Sequence, residues 1–146
     1  MQVWNIKNYE INGEGAILFN IERDKTMGYQ CSECGETYMF AYDECIERTV
    51  RDLPVWGRKS FLRFHEARVN CPKCGIKIEK HDWLEPYQRM TIRYEKYLAS
   101  QCDFMPVSDV SEIEGGNKVH CIVLTKNGLN GEKSFTKMIC RSDILE

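Results

Sequence analysis

Two short stretches carry the chemistry of this chain: Cys31-Ser32-Glu33-Cys34-Gly35 and Cys71-Pro72-Lys73-Cys74-Gly75. A C-x-x-C pair offers two thiolates to one ion. The glycine after it permits the tight turn that aims backbone N–H groups at the sulfurs. Two such pairs complete a four-sulfur tetrahedron, the closed geometry of a structural Zn2+ site; iron is the other ion that four thiolates hold. Four unconnected or disulfide-bonded cysteines would make the duplicated C-x-x-C-G a coincidence. His65 and His81 could also ligate, but four cysteines already fill the site, so both are expected to be surface or strand histidines. Cys45, Cys102, Cys121 and Cys140 lack pair spacing and read as ordinary thiols.

The elements that must position these sulfurs are mostly strands. Val3–Ile11 and Ala16–Glu22 flank Asn12-Gly13-Glu14-Gly15, which predicts a hairpin. Ile17, Phe19 and Ile21 alternate with polar or outward neighbours, as in a half-buried strand. Thr37–Asp43 is aromatic and reads as extended. Glu47–Leu53 is a strand closed by Pro54, Val55–Arg58 a turn, and Ser60–Asn70 a strand that delivers the chain to Cys71. Beyond Pro86 the period changes. Tyr87, Met90, Tyr94, Tyr97, Leu98 and Cys102 recur at spacings of three and four, so a helix with Pro86 in its first turn is expected. Val107, Val110 and Ile113 mark a second helix, and Asn117–Ile122 a third after the Glu114-Gly115-Gly116 turn, the plan of a helix-turn-helix. Residues 123–146 show neither period and read as a tail. The fold class that follows is α+β: a hairpin and small β-rich zinc ribbon with four cysteine ligands over 1–85, then a partial helix-turn-helix over 86–122.

Composition narrows the function. Lys and Arg number 20 against 22 Asp and Glu, so the chain is neither a strongly basic nor a strongly acidic ligand for its partners. No apolar run approaches the roughly 20 residues that span a bilayer, and the N-terminus has no export or transit pattern. Eight cysteines without export signals predict a reducing, cytoplasmic setting. No Gly-rich phosphate loop or nucleophile elbow is present, and the local acid pairs Asp43/Glu44 and Asp82/Glu85 lack a third partner, so independent catalysis is not expected.

Taken together these residues resemble the N-terminal region of the ISL three family of insertion-sequence transposases. The likeness rests on the entry strands, the two Cys pairs, Arg51-Asp52-Leu53-Pro54 with Gly57-Arg58 between them, and the Met105-Pro106-Val107-Ser108-Asp109-Val110 helix start, all in family order. It implies a zinc-binding domain and a helix-turn-helix that recognise double-stranded DNA at the element's terminal repeats, ahead of a larger catalytic domain for which 146 residues leave no room. Gly116 stands where the family favours Trp. A shifted reading frame permits D-K-K-W-L-K-R from Thr125 and K-D-D-L-S-E-R-Y-I-G from Thr136, as the family carries at that point, so a frameshift near Ile122 is expected.

The residues expected to meet DNA phosphates are Arg48, Arg51, Arg58, Lys59, Arg63 and Arg68, with Arg89 and Arg93 on the first helix. Against them, residues 29–85 hold nine Lys/Arg and ten Asp/Glu, no net basic footprint. Two other readings stay open. Tyr29-x-Cys31-x-x-Cys34-Gly-x-x-Tyr38 and Cys71-Pro-x-Cys74-Gly also look like the iron knuckles of a rubredoxin-like electron carrier. A zinc-stabilised interaction module that self-associates through Tyr94, Tyr97 and Leu98 is the third.

Overall fold

Residues 4–114 are described by the computed structural model. Strands β1 (Trp4–Ile11) and β2 (Ile17–Arg23) form the expected hairpin. Asn12 makes its turn: the side-chain oxygen accepts from the N–H groups of Glu14 (3.1 Å) and Ala16 (2.9 Å), the local bonding for which Asn is favoured in turns. β1 is an outer strand and almost wholly exposed, whereas Ile17 and Ile21 of β2 point inward.

Strands β3 (Tyr29–Gln30) and β4 (Thr37–Tyr38) frame the first Cys pair. β5 (Asp43–Val55) and β6 (Arg58–Cys71) form a long antiparallel hairpin, and β7 (Gly75–Ile78) folds back on β6 around the second Cys pair. The main sheet runs β1-β2-β6-β5, with β2 parallel to β6. The parallel pairing lies outside anything the sequence pattern predicts.

Two expectations about strands need correction. The aromatic stretch after the first pair is strand only at Thr37–Tyr38; Met39, Phe40 and Tyr42 are exposed in a bend. β5 begins at Asp43 rather than Glu47 and continues through Pro54. Its register shifts between Glu44 and Glu47 and again between Asp52 and Val55. The second shift takes Pro54, which has no N–H to give, out of the regular ladder.

One cluster of the core contains Ile21, Val50, Phe64 and Leu84, with Trp4, Phe19, Leu62 and Trp83 against it. Phe64 meets Trp4 and Trp83 edge-on at 5.5 and 5.1 Å between centroids, the arrangement that ring quadrupoles favour. His81 is not a surface histidine. It is buried against these rings, with Nδ1 3.5 Å from Glu79 and Nε2 3.7 Å from Glu66. Arg23 lies 3.0 Å from Glu79 and Arg48 2.5 Å from Glu66, so the buried carboxylates face cations. Burial still pushes the Glu79 carboxyl above its usual range, against the pull of His81 and Arg23.

The chain divides into two compact units, Met1–Tyr94 and Glu95–Glu146. Helix α1 (Ile92–Gln101) starts later than expected. Pro86 is not in its first turn, and Tyr87 is exposed with φ +64°. Instead residues 89–91 run beside β5: Arg51 N–H donates to Arg89 O and Thr91 N–H to Arg51 O, both 2.9 Å. Thr91 is the effective cap, its hydroxyl accepting from Tyr94 N–H at 3.3 Å. In the second unit, helix α2 (Val107–Ile113) follows a short connection, and Tyr97 donates to Glu114 at 3.3 Å. The expected third helix, Asn117–Ile122, and the tail with its frameshift lie outside the described residues.

Candidate metal centre and nucleic-acid interface

Each Cys pair sits on a turn made possible by its glycine, Gly35 at φ +76° and Gly75 at φ +77°. In the first turn Cys31 N–H donates to Glu36 O (2.8 Å) and Gly35 N–H to Cys31 O (3.0 Å). In the second, Cys71 ends β6 opposite Gly75. Backbone bonds hold the two turns together: Ser32 N–H to Ile78 O (3.3 Å) and Lys80 N–H to Gln30 O (2.7 Å). Lys73 pairs with Glu36, and Lys77 lies 3.5 Å from Glu33, linking one turn to the other. These outer pairs are exposed and add little energy.

The result is that Cys31, Cys34, Cys71 and Cys74 bring their four sulfurs within 4.8 Å of one another. All four are free thiols, and Cys34 and Cys71 are 3.6 Å apart. A tetrahedron of Zn–S bonds near 2.3 Å places its sulfurs about 3.8 Å apart, whereas a disulfide needs about 2 Å. The donor set therefore fits a four-thiolate metal ion. Cys31 and Cys71 are buried and Cys34 is exposed, so the cluster lies at the protein surface with one edge open to solvent.

The surroundings favour thiolate at some sulfurs and not others. Tyr38 O–H donates to Cys71 Sγ at 3.1 Å; with the N–H groups of Cys74 and Lys73 it brings the Cys71 thiol down to about 6. Burial, with Cys34 and Cys71 beside it, pushes Cys74 up to about 12. Four sulfurs this close cannot all ionise without a cation between them. The hydrogen bond from Tyr38 was not read from the sequence, although the residue stands four positions beyond Cys34. His65 is exposed on β6, 3.9 Å from Glu47, and neither histidine joins the cluster.

The eight expected phosphate-binding residues divide by partner. Arg93 grips Asp52 with two hydrogen bonds and Arg68 grips Asp43 likewise. Arg48 donates to Glu66 and to Gln88 O. Arg63 reaches Glu10 at 3.1 Å and Glu47 at 3.5 Å. Arg51 lies between the Phe61 and Tyr94 rings, 5.1 Å from each. Each of these five has a partner within the fold. Arg58, Lys59 and Arg89 are exposed. Residue type was legible in the sequence; the partner across the sheet was not.

Residues 79–115 match the family model for the helix-turn-helix domain of transposase family ISL3. A transposase for insertion sequence element IS1001 from Bordetella parapertussis is 34% identical over 73 residues. The likeness to ISL3-family transposases is borne out. The matched stretch is 49% of this chain and 17% of that transposase, so the chain spans a small part of the relative's length. No solved structure matches the chain. The ISL3 match covers both described helices and the residues that lead into them, while the four-cysteine cluster lies wholly before it. Among the described residues no helix is long and apolar enough to cross a membrane.

Proposed function

We propose that this chain is a DNA-recognising portion of a transposase. The cluster Cys31/Cys34/Cys71/Cys74 holds Zn2+ as the centre of a zinc ribbon, and the helical segment reads double-stranded DNA at the element's terminal repeats in the cytoplasm. The role is recognition, not strand cutting. Residues 1–85 form the zinc-bearing part and 86–122 the helical part of this proposal. The ISL3 helix-turn-helix match over residues 79–115 carries it. The metal fixes the turns and has no open position, so it orders the scaffold and touches no substrate.

The test is binding of a labelled duplex bearing the neighbouring element's end, against a scrambled duplex, across a salt series. The end sequence binds more tightly. With Arg58, Lys59 and Arg89 as the phosphate contacts, log K falls against log salt with a slope of about −3, from about −0.9 per phosphate neutralised. Equal affinity for the scrambled duplex removes the specific reading, and no binding removes the whole of it.

Self-association is a second reading; Tyr94 and Leu98, expected to carry it, are buried and Tyr97 is half-buried, so its support is instead Ile6, Tyr9 and Ile11, exposed on the outer strand β1. Light scattering at rising concentration should then show a dimer, and a strict monomer ends that reading.

A further inference from the structure

The β5–β6 hairpin closes on a two-residue turn, with Val55 paired to Arg58 across Trp56 and Gly57. Both turn residues have positive φ, Trp56 +51° and Gly57 +71°. Such turns favour Asn-Gly or Asp-Gly, because a left-handed first residue suits a short polar side chain. A bulky aromatic there is a genuine outlier and strains the backbone. The fold gains nothing in return, since Trp56 is 80% exposed. Arg58 and Lys59 follow at once, both exposed. With Gly57 they line a groove of about 470 Å³ shared with Glu14, Gly15 and Ala16 of the β1–β2 turn. Arg58 Nη1 reaches Gly15 O at 3.4 Å, tying one hairpin tip to the other. Glu14 is the one acid among those lining residues.

An outward aromatic ring beside two cations is the equipment that binds nucleic acid through base stacking and phosphate pairing. Inside a duplex both faces of each base are covered by neighbours. One ring on a two-residue tip can stack only where a base face is open.

We propose that this tip is a second nucleic-acid contact: Trp56 stacks on an unpaired base of DNA while Arg58 and Lys59 hold the adjoining phosphates. The proposal rests on the DNA-binding reading above and adds a preference for single-stranded ends.

Titration of the full metal-loaded chain with a blunt duplex, and with the same duplex carrying a short single-stranded overhang, tests it. Anisotropy of a label on the DNA reports binding. The difference in intrinsic emission between wild type and Trp56→Ala reports Trp56, with Trp4 and Trp83, half-buried in the core, common to both. The overhang should tighten binding about 5-fold or more, the lower end for one base–aromatic stack, and should quench the emission. Trp56→Ala should lose both the overhang preference and the quench, and Trp56→Phe should keep part of the preference. Trp56→Asn, which suits the turn, keeps the fold and separates loss of stacking from loss of structure. Arg58→Ala with Lys59→Ala should reduce the salt slope on the overhang substrate by about 1.4, from about 0.7 per single-strand phosphate. If wild type binds the two duplexes equally, or Trp56→Asn retains the overhang preference, the tip contact is overturned while the DNA reading stands. Absence of binding to either duplex overturns both.

Discussion

Removing the metal should unfold the part of the chain around the two Cys turns. The purified protein should carry one Zn2+ per chain, and a strong chelator or Cys71→Ser should abolish ordered structure there. The magnitude follows from a comparison. Structural Zn2+ contributes an apparent ~10–16 kcal/mol in small zinc domains, as much as the ~5–15 kcal/mol by which whole domains are stable. The core around the turns cannot make up that loss. Its buried members are Tyr29, Cys31, Ala67, Val69 and Cys71, so two of the five belong to the four-cysteine cluster itself. The other core cluster, built on Phe64 and Leu84 with Trp4 and Trp83 beside it, has no ligand in it. Tryptophan near-UV dichroism should therefore outlast the loss of far-UV strand signal. Metal analysis gives the stoichiometry, and colour gives the ion: a Zn2+ protein is colourless, whereas four-thiolate iron absorbs visible light. A metal-free protein that melts cooperatively at the same temperature would end the assignment.

The second large effect is expected at Asp52. Its carboxylate is buried on β5, accepts from Thr91 Oγ1 at 2.7 Å and from Arg93 Nε at 2.6 Å, and takes a further bond from the same guanidinium. Burial opposes the charge, but Arg93 and Thr91 outweigh it and hold the carboxyl below its ordinary value of 3.8. The same Thr91 hydroxyl caps α1. Asp52→Ala leaves Thr91 and Arg93 without their acceptor. A fully buried broken pair costs ~3–5 kcal/mol. The Arg93 side chain is 61% exposed and can rehydrate, so about 2 kcal/mol is expected. The pH dependence has a definite sign. A carboxyl whose folded value is depressed stabilises the fold above 3.8 and ceases to do so as pH falls through the folded value. The gap in urea midpoint between wild type and Asp52→Ala should be level near neutrality and narrow below 3.8. Acid also protonates the Cys71 thiolate in both proteins, so the gap, not either midpoint, is the readout. A gap that stays constant into strong acid would show that the ionised carboxylate is not what holds α1.

Asp52 also shows where sequence reading stops. Arg51-Asp52-Leu53-Pro54 stands out as a string, but nothing in it names Thr91 and Arg93 as its partners. The Cys turns were legible because their geometry is local: two sulfurs, two intervening residues and a glycine. The start of α1 was not. Pro86 and Thr91 are both good N-terminal signals, and the choice between them is made by β5, which holds residues 89–91 extended. The burial of His81 is hidden from the sequence for a similar reason. A histidine among polar residues reads as exposed until the rings of Trp4, Phe64 and Trp83 close over it. The strand content was visible in alternation, but the parallel seating of β2 on β6 joins residues about 40 positions apart, beyond the reach of any local pattern.

Strand β6 has a consequence for how errors are rejected during folding. Its 14 residues start at the Trp56–Gly57 tip, supply Phe64 to the core and finish at Cys71. Sliding this strand by one position along its neighbours would carry Cys71 about 3.3 Å away from Cys31 and Cys34 and turn Phe64 out to water. A sulfur displaced by that much lies well beyond bonding reach of an ion held by the other three. An ion at this cluster would thus work as a vernier: it would seat only when a strand more than a dozen residues long had been laid down to the nearest residue, and misthreaded chains would be left without it.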